Sequence, residues 1–496
     1  MKDRKKIVAI LLCFIFALAL FVGCGGKKDD GKKDDGKIEL LVDMHGLMPT
    51  LNTEPTTENP TVILATRRIQ EAFEKENPDI KIKWARSKPV GGLEAEVSQW
   101  FVTQIAGDNC PAIAFSWGTQ YQDRDYYVDM TKYYNEPNEY VEGNEKWSDL
   151  FEDYLFETST VRDIKGQLVG VPITLYAGPA TGWYYNTDLI SKTQIPKNWE
   201  QFVTLAKELN KDPEITAVAP WSYFKKISLD NWIMQYTIGP SIASYIMEQT
   251  DYNKDNVTST VEQLRAMKAG LYNPVTQPYA KEVYVQAKRY FTELLREGWM
   301  STDYTPQWNS GKVAMYEEGL WALYPQYNNT AREFDFGVFP APLMDSSTTK
   351  YTTEIKYTEK GPYQPKGDMI LNIMKPAVKD DPALEAAAVK FLKFLTVPEN
   401  ISMIVEEQGS SLGAVKGSTY NSVLDDWLDQ SFPIVPETNW PLAFNSEQND
   451  KLNRLFGEWV LGRHTDDKFF EQVNTIQQAG ADAYIRDLNI DTSGWN

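Results

Sequence analysis

Asp251, Asn253, Asp255 and Glu262 stand at the first, third, fifth and twelfth positions of a loop, the spacing by which oxygen ligands surround a calcium ion. Asn256 fills the sixth position, where glycine normally makes the sharp turn, and Val257 offers only its backbone carbonyl. Ser259 and Glu262 also make the pattern of a capping box opening a helix at Val261, a role that occupies the same carboxylate. The local reading favours the cap, and no metal site is expected. Two histidines, His45 and His464, leave little material for a His-rich centre or a Ser/His/Asp triad. No phosphate-binding P-loop, no HExxH helix and no glycine-rich dinucleotide fingerprint occur. Carboxylates are plentiful, but no pair is singled out for glycoside hydrolysis. No catalytic residue is assigned and no cofactor is expected.

Aromatic residues offer a different chemistry. The chain carries 15 Trp and 27 Tyr, and its aromatic share of 13% includes many rings beside Gly, Pro or Asn. A flat indole with a polar edge suits a sugar ring, whose axial C–H groups stack on it while the hydroxyls reach nearby acceptors. The same rings could fill a core, so their placement decides between the two uses.

The N-terminus bears on where such a site works. Lys2, Arg4, Lys5 and Lys6 precede an uncharged apolar run from Ile7 to Val22, the layout of a secretory signal. That run is shorter than the roughly 20 residues a membrane-crossing helix needs. Phe21-Val22-Gly23-Cys24 resembles the bacterial lipoprotein cleavage box, with Phe21 in place of the usual Leu. Residues 1–23 then read as a signal peptide, and Cys24 as an N-terminus acylated with lipid, palmitate included. Residues 24–36 carry the doubled phrase Gly-Lys-Lys-Asp-Asp. Lacking apolar side chains to offset its ordering entropy, this stretch reads as a flexible tether with a mean reach of roughly 20 Å. The expected location is the extracellular face of the cell membrane.

With 496 residues and 42% hydrophobic content, the chain is long enough for two or three domains or one large two-lobed unit. A net charge of -19 argues against nucleic acid, which needs clustered Lys and Arg. Cys110 has no intramolecular partner once Cys13 leaves with the signal and Cys24 takes lipid. It reads as a small buried hydrophobe.

Pattern places the elements. Ile38–Val42, Ile80–Trp84 and 112–115 read as strands alternating with helices over 61–77 and 94–105, a doubly wound α/β lobe with ligands at the strand carboxyl ends. Helices over 198–209, 261–271 and 284–296, between strands at 168–173 and 334–339, describe a second α/β lobe. A strand follows at 369–373, then a helix over 381–395 opened by Asp381-Pro382. From Leu424 onward the pattern is almost wholly helical.

Five phrases in order resemble the bacterial extracellular solute-binding proteins of family 1, carbohydrate receptors of ABC importers. They are Gly166 to Ile173 followed by Gly182-Trp183-Tyr184-Tyr185-Asn186; Pro196-Lys197-Asn198-Trp199-Glu200; Gly311 to Met315 with Gly319-Leu320-Trp321; Phe334 to Val338; and Ala386 to Leu392. The resemblance implies an α/β, two-lobed, periplasmic-binding-protein-like fold with hinge-linked lobes and a helical C-terminal region. Residues 37–176 with 345–430 would form the first lobe, and 177–344 with 431–496 the second. Crossings are expected near 176–179, 343–366 and 417–433. By matching motifs, the solute-binding residues implied are His45 and Trp117 after strands of the first lobe, Trp221 and Trp321 in the second, Trp440 beyond, and Tyr176, Trp183 and Asp368 at or beside the crossings. The implied activity is non-catalytic capture of a carbohydrate, an oligosaccharide by the length of the chain. The implied partners are ABC importer permease subunits and, through Cys24, the lipid membrane, with the protein a monomer. A surface-anchored carbohydrate-active hydrolase is the alternative.

Overall fold

A computed structural model describes residues 36–54, 62–88, 94–116, 125–157, 161–163, 165–220, 226–254, 258–360, 367–434, 440–487 and 489–495. Residues 1–35, which hold the expected signal, Cys24 and most of the expected tether, and Trp117 and Trp221 lie outside the described residues. The strands, in chain order, are β1 (Ile38–Val42), β2 (Ile80–Trp84), β3 (Ile113–Ser116), β4 (Gly170–Tyr176), β5 (Thr181–Asn186), β6 (Thr216–Ala219), β7 (Val313–Gly319), β8 (Phe336–Phe339), β9 (Lys356–Tyr357), β10 (Gly367–Ile373), β11 (Ser411–Gly413) and β12 (Pro433–Ile434).

The first sheet has the order β11-β4-β10-β3-β1-β2. Parallel pairing of β1 with β2 and β3 comes from helical crossovers, while β10 runs antiparallel to β3 and β4. The inner strands β4 and β10 are buried on both faces, whereas the edge strand β2 alternates buried Ile80 and Ile82 with Lys81 and Lys83. Helix Ala65–Glu76 buries Ile69 and Phe73, and helix Pro382–Leu395 buries Ala388, Phe391 and Leu392 against the same core. Phe73 and Phe391 meet edge to face at 5.1 Å, the arrangement the ring quadrupole favours. Asp381 caps the second helix by accepting from the amides of Ala383 and Leu384, with Pro382 as its first residue.

The second sheet, β6-β7-β5-β8, carries the other large core. Trp199 and Phe202 on helix Trp199–Leu209 pack on Trp183 of β5. The C-terminal helices Ser446–Val460 and Asp466–Asp487 close the same core, with Trp459 stacked on Phe469 at 4.1 Å. The helix expected over 284–296 starts earlier, at Pro278, and ends in a π-helical turn, Tyr290–Leu294.

Three stretches connect the sheets at one pair of edges. β4 ends at Tyr176 and β5 begins at Thr181, so the first crossing is Ala177 to Ala180. The second runs from the end of β8 to the start of β10, and the third from β11 toward Trp440. Along the third, the expected continuous helix is interrupted. A short helix, Asp425–Leu428, is followed by β12, and the next helix begins at Ser446. The interruption lets Trp427 and Phe432 plug the first crossing. Trp427 Nε1 donates to the Ala177 carbonyl at 2.8 Å. The Phe432 ring lies over Gly178, whose φ is +129° and where a Cβ would stand 3.1 Å from the ring; only glycine suits that backbone. Leu424, Trp427 and Phe432 thus pack with Tyr184 and Trp308 on the second sheet's outer face. β12 pairs with β9, tying the third crossing to the second.

Asn198 caps helix Trp199–Leu209 through the Gln201 amide at 3.0 Å and donates to Asp345 at 2.7 Å on the second crossing. Asn198→Ala is expected to destabilise by about 1 kcal/mol or more. Equilibrium urea unfolding measures it, and an unchanged midpoint would contradict the cap's role.

Candidate solute site at the joined strand edges

Strand direction brings the candidate residues together. The carboxyl ends of β1 to β4 and the starts of β10 and β11 share one edge of the first sheet, since Ile370 pairs with Ser116 and Ser411 with Tyr176. In the second sheet the start of β5 and the ends of β6, β7 and β8 share an edge, since Thr181 pairs with Gly319 and Trp183 with Phe339. The four-residue crossing joins these edges, so both present their loops to one seam.

On the first lobe, Asp43 follows β1 and is fully buried. Its carboxylate accepts from the His45 amide at 2.9 Å and from Lys88 Nζ at 2.5 Å, with both charged side chains wholly enclosed. The Lys88 ammonium also lies 5.1 Å from the Phe101 and Phe115 ring centroids, a cation–π arrangement that replaces part of its lost hydration. Burial pulls the lysine pKa down, and Asp43 opposes that pull. His45 stacks on Phe115 at 4.9 Å with a φ of +46°. Burial first, then the Lys88 charge, lowers its pKa to about 4, so the ring is neutral at physiological pH.

Further along the same edge, Asp368 sits in a register irregularity of β10 between Gly367 and Met369, a feature that re-aims side chains. Its carboxylate accepts from Ser411 Oγ at 2.9 Å and Thr174 Oγ1 at 3.2 Å. Burial pushes its pKa up while these hydroxyls and that of Tyr176 pull it back. Tyr176, at the end of β4, faces Asp368 and, across the seam, Tyr236.

The second lobe supplies aromatic surface. Trp321 is 49% exposed, and its indole lies flat on Gly319. A Cβ there would come within 2.3 Å of three indole carbons. Trp232 meets Trp321 edge-on at 5.5 Å and Tyr236 at 6.4 Å, making one wall. Burial and the nearby Glu317 carboxyl push the Tyr236 hydroxyl up to about 12, so it stays a neutral donor.

His45, Tyr176, Asp368 and Trp321 therefore share the seam. Trp183 and Trp440 do not: they are 0% and 5% exposed inside the second lobe's core. Trp183 alternates inward on a central strand, and Trp440 packs edge-on against Tyr272 at 4.9 Å. Trp232, Tyr236 and Ser411 lie at the same edges without having been expected, and the enclosed Asp43–Lys88 pair lies beneath His45. Gly409-Ser410-Ser411-Leu412-Gly413 has the spacing of a nucleophile elbow, but it runs from a helix into β11 and its Ser411 hydroxyl is bonded to Asp368. An elbow needs a strand entering a helix and a histidine base. At the calcium-like loop, Glu262 is taken up by the amides of Tyr252, Asn253 and Ser259; residues 255–257 lie outside the described residues. Burial pushes the Cys110 thiol up to about 12, consistent with an unreactive side chain.

Residues 69–427 match the model of the bacterial extracellular solute-binding protein family, and the chain belongs to that family. A curated relative, an uncharacterized ABC transporter extracellular-binding protein of Pyrococcus horikoshii, is 23% identical over 268 residues, or 52% of this chain and 53% of the relative. The chain thus spans about half the length of the curated relative it matches. Among solved structures, the maltose/maltodextrin-binding domain MalE of Bdellovibrio bacteriovorus bound to maltotriose superposes with a TM-score of 0.56 at 15% identity, covering 91% of this chain and all of that one. RafE in complex with raffinose gives 0.54 at 16%, covering 90% and 100%. At these identities the likeness establishes the fold, which is the two-lobed periplasmic-binding-protein-like architecture.

His45 offers a direct check on the site's electrostatics. Its folded pKa lies below the unfolded value of about 6.5, so the unfolded chain takes up the proton first and His45 lowers stability as pH falls from about 6.5 toward 4. NMR titration of the two imidazoles should show one midpoint near 4. A midpoint near 6.5 for His45 would contradict the enclosure described.

Proposed function

We propose that this chain is a membrane-tethered receptor that captures an oligosaccharide between its lobes and delivers it to an ABC importer. One observation carries the reading: a half-exposed indole lies on Gly319 at the second lobe's edge, a carboxylate and hydroxyl set lies at the first lobe's edge, and a four-residue crossing joins the two edges. Stacking area from one lobe and hydrogen-bond acceptors from the other are what a sugar requires, one for its C–H faces and one for its hydroxyls. Contacts from both walls also supply the differential affinity by which a ligand favours the closed form. The names of the relative and of the structural neighbours, an ABC transporter binding protein and proteins holding maltotriose or raffinose, support the same class of cargo.

Family membership describes a binding protein, and binding without turnover is the expectation here. Cys24 would take the lipid and the stretch after it would hold the lobes at the outer membrane surface as a monomer. His45, Asp368, Tyr176 and Trp321 form the described part of the solute site, and Trp117 and Trp221 belong to it by their place in the sequence.

A thermal-shift panel of maltotriose, raffinose and chitin oligosaccharides is expected to raise the melting temperature for at least one sugar, since a ligand stabilises by mass action. Trp321→Ala should then weaken binding at least about tenfold. Gly319→Ala should do the same by driving the indole off its seat; retained affinity in both variants would remove Trp321 from the site. Cys24→Ser should release the protein from membrane fractions into the medium, whereas continued retention would contradict the anchor.

A further inference from the structure

Two π-helical turns, Ile233–Ile238 and Tyr290–Leu294, converge on one side chain of the second lobe. Such turns insert an extra residue at a cost in hydrogen-bond geometry and recur at functional positions. Each brings a tyrosine, Tyr236 or Tyr290, within electrostatic reach of Glu317. Glu317 lies on β7 directly opposite Trp183, one same-face position below the Thr181–Gly319 pair on which Trp321 rests. It is 4% exposed, and its Oε1 has no hydrogen-bond partner among the described residues. Two more enclosed polar atoms, Trp183 Nε1 and Thr237 Oγ1, are likewise unpartnered among the described residues.

Among the described residues, the titratable groups facing Glu317 are Glu318 on its own strand and the two tyrosines from the π-helical turns; Thr181 faces it from β5. None of these is a cation. A carboxylate in such a place would be an uncompensated buried charge, the costliest group a core can hold. Burial pushes the Glu317 pKa well above the usual range, with Glu318 adding and only Thr181 opposing. The side chain is therefore a neutral acid beneath the aromatic wall.

We infer that Glu317 is a positioning residue for solute capture: as a neutral acid it supports Tyr236 and the Trp321–Thr181 edge, and its ionisation dismantles the wall they form. The inference rests on reading that wall as the solute site. Loss of one proton to solvent leaves a negative charge under an indole and two phenols, and the lobe relieves it by admitting water and displacing Tyr236. Solute affinity is then coupled to pH through a group that never touches the solute. A purely structural role would lower stability without giving affinity a proton dependence.

The test compares the wild-type protein with Glu317→Gln, a neutral side chain of the same shape, by isothermal titration with maltotriose or raffinose from about pH 6 to 9.5. Wild-type affinity should fall once pH passes the raised pKa, approaching about tenfold per unit, while Glu317→Gln keeps its neutral-pH affinity throughout. Parallel pH profiles, or a folded Glu317→Gln that has lost affinity at pH 7, would overturn the inference. A solute-free arm separates the two claims. The folded pKa is raised above the unfolded one, so the contribution to stability is highest below the unfolded value of about 4.3 and falls as pH rises toward the folded value; Glu317→Gln should abolish that fall in thermal unfolding. If neither sugar binds the wild type, the solute site is wrong; if the unfolding profiles coincide, the neutral acid is wrong.

Discussion

The chain passes from one sheet to the other within four residues, between Tyr176 and Thr181, and the rest of the site follows from that shortness. So brief a crossing forces the carboxyl edge of the first sheet against the matching edge of the second. Loops that leave those edges have nowhere to go but the seam. The crossing is held by the Trp427 bond to the Ala177 carbonyl and by the Phe432 ring over Gly178. Both rings come from the third crossing, which β12 ties to the second through β9. In the proposed reading, the lobes would rotate about this short crossing, under one aromatic plug, as hinges commonly do.

Around that seam the two lobes handle polarity differently. The first encloses a full ion pair, Asp43 with Lys88, and offsets its desolvation with backbone amides and two phenylalanine faces. Breaking either partner would strand the other charge, so the pair fixes the loops after β1 and β2 more than it adds stability. The second lobe instead presents Trp321, Trp232 and Tyr236, with Glu317 beneath them, its pKa pushed up by burial. In the proposed reading, a solute meeting both walls would find hydrogen-bond acceptors on one and ring faces on the other, and binding would depend on closure.

Much of this was legible in the residues. The first three strands are short β-branched runs between helical periods, and the structure places them within a residue of where the pattern does. Trp321 was implied by the motif Gly319-Leu320-Trp321, and the structure shows what the glycine does there: it leaves room for the ring to lie back on the strand. Trp183 carried the same surface signal, Gly-Trp-Tyr-Tyr, yet a central strand buries both faces and that ring went inward. Lys88, Tyr236 and Glu317 gave no signal. A buried lysine is intelligible only once Asp43 is beside it, and π-helical turns have no sequence period. The almost wholly helical pattern expected from Leu424 onward is broken after Leu428 because Trp427 and Phe432 are held by partners about 250 residues earlier, at the first crossing.

The central claim is that solute joins two hinged walls. Small-angle X-ray scattering of the lipid-free chain, recorded with and without saturating maltotriose or raffinose, tests it most directly. The account predicts a smaller radius of gyration with the sugar that binds, because contacts from both lobes favour the closed form. An unchanged radius at saturation would show that the sugar is held by one wall alone, and the hinge would then have no part in capture.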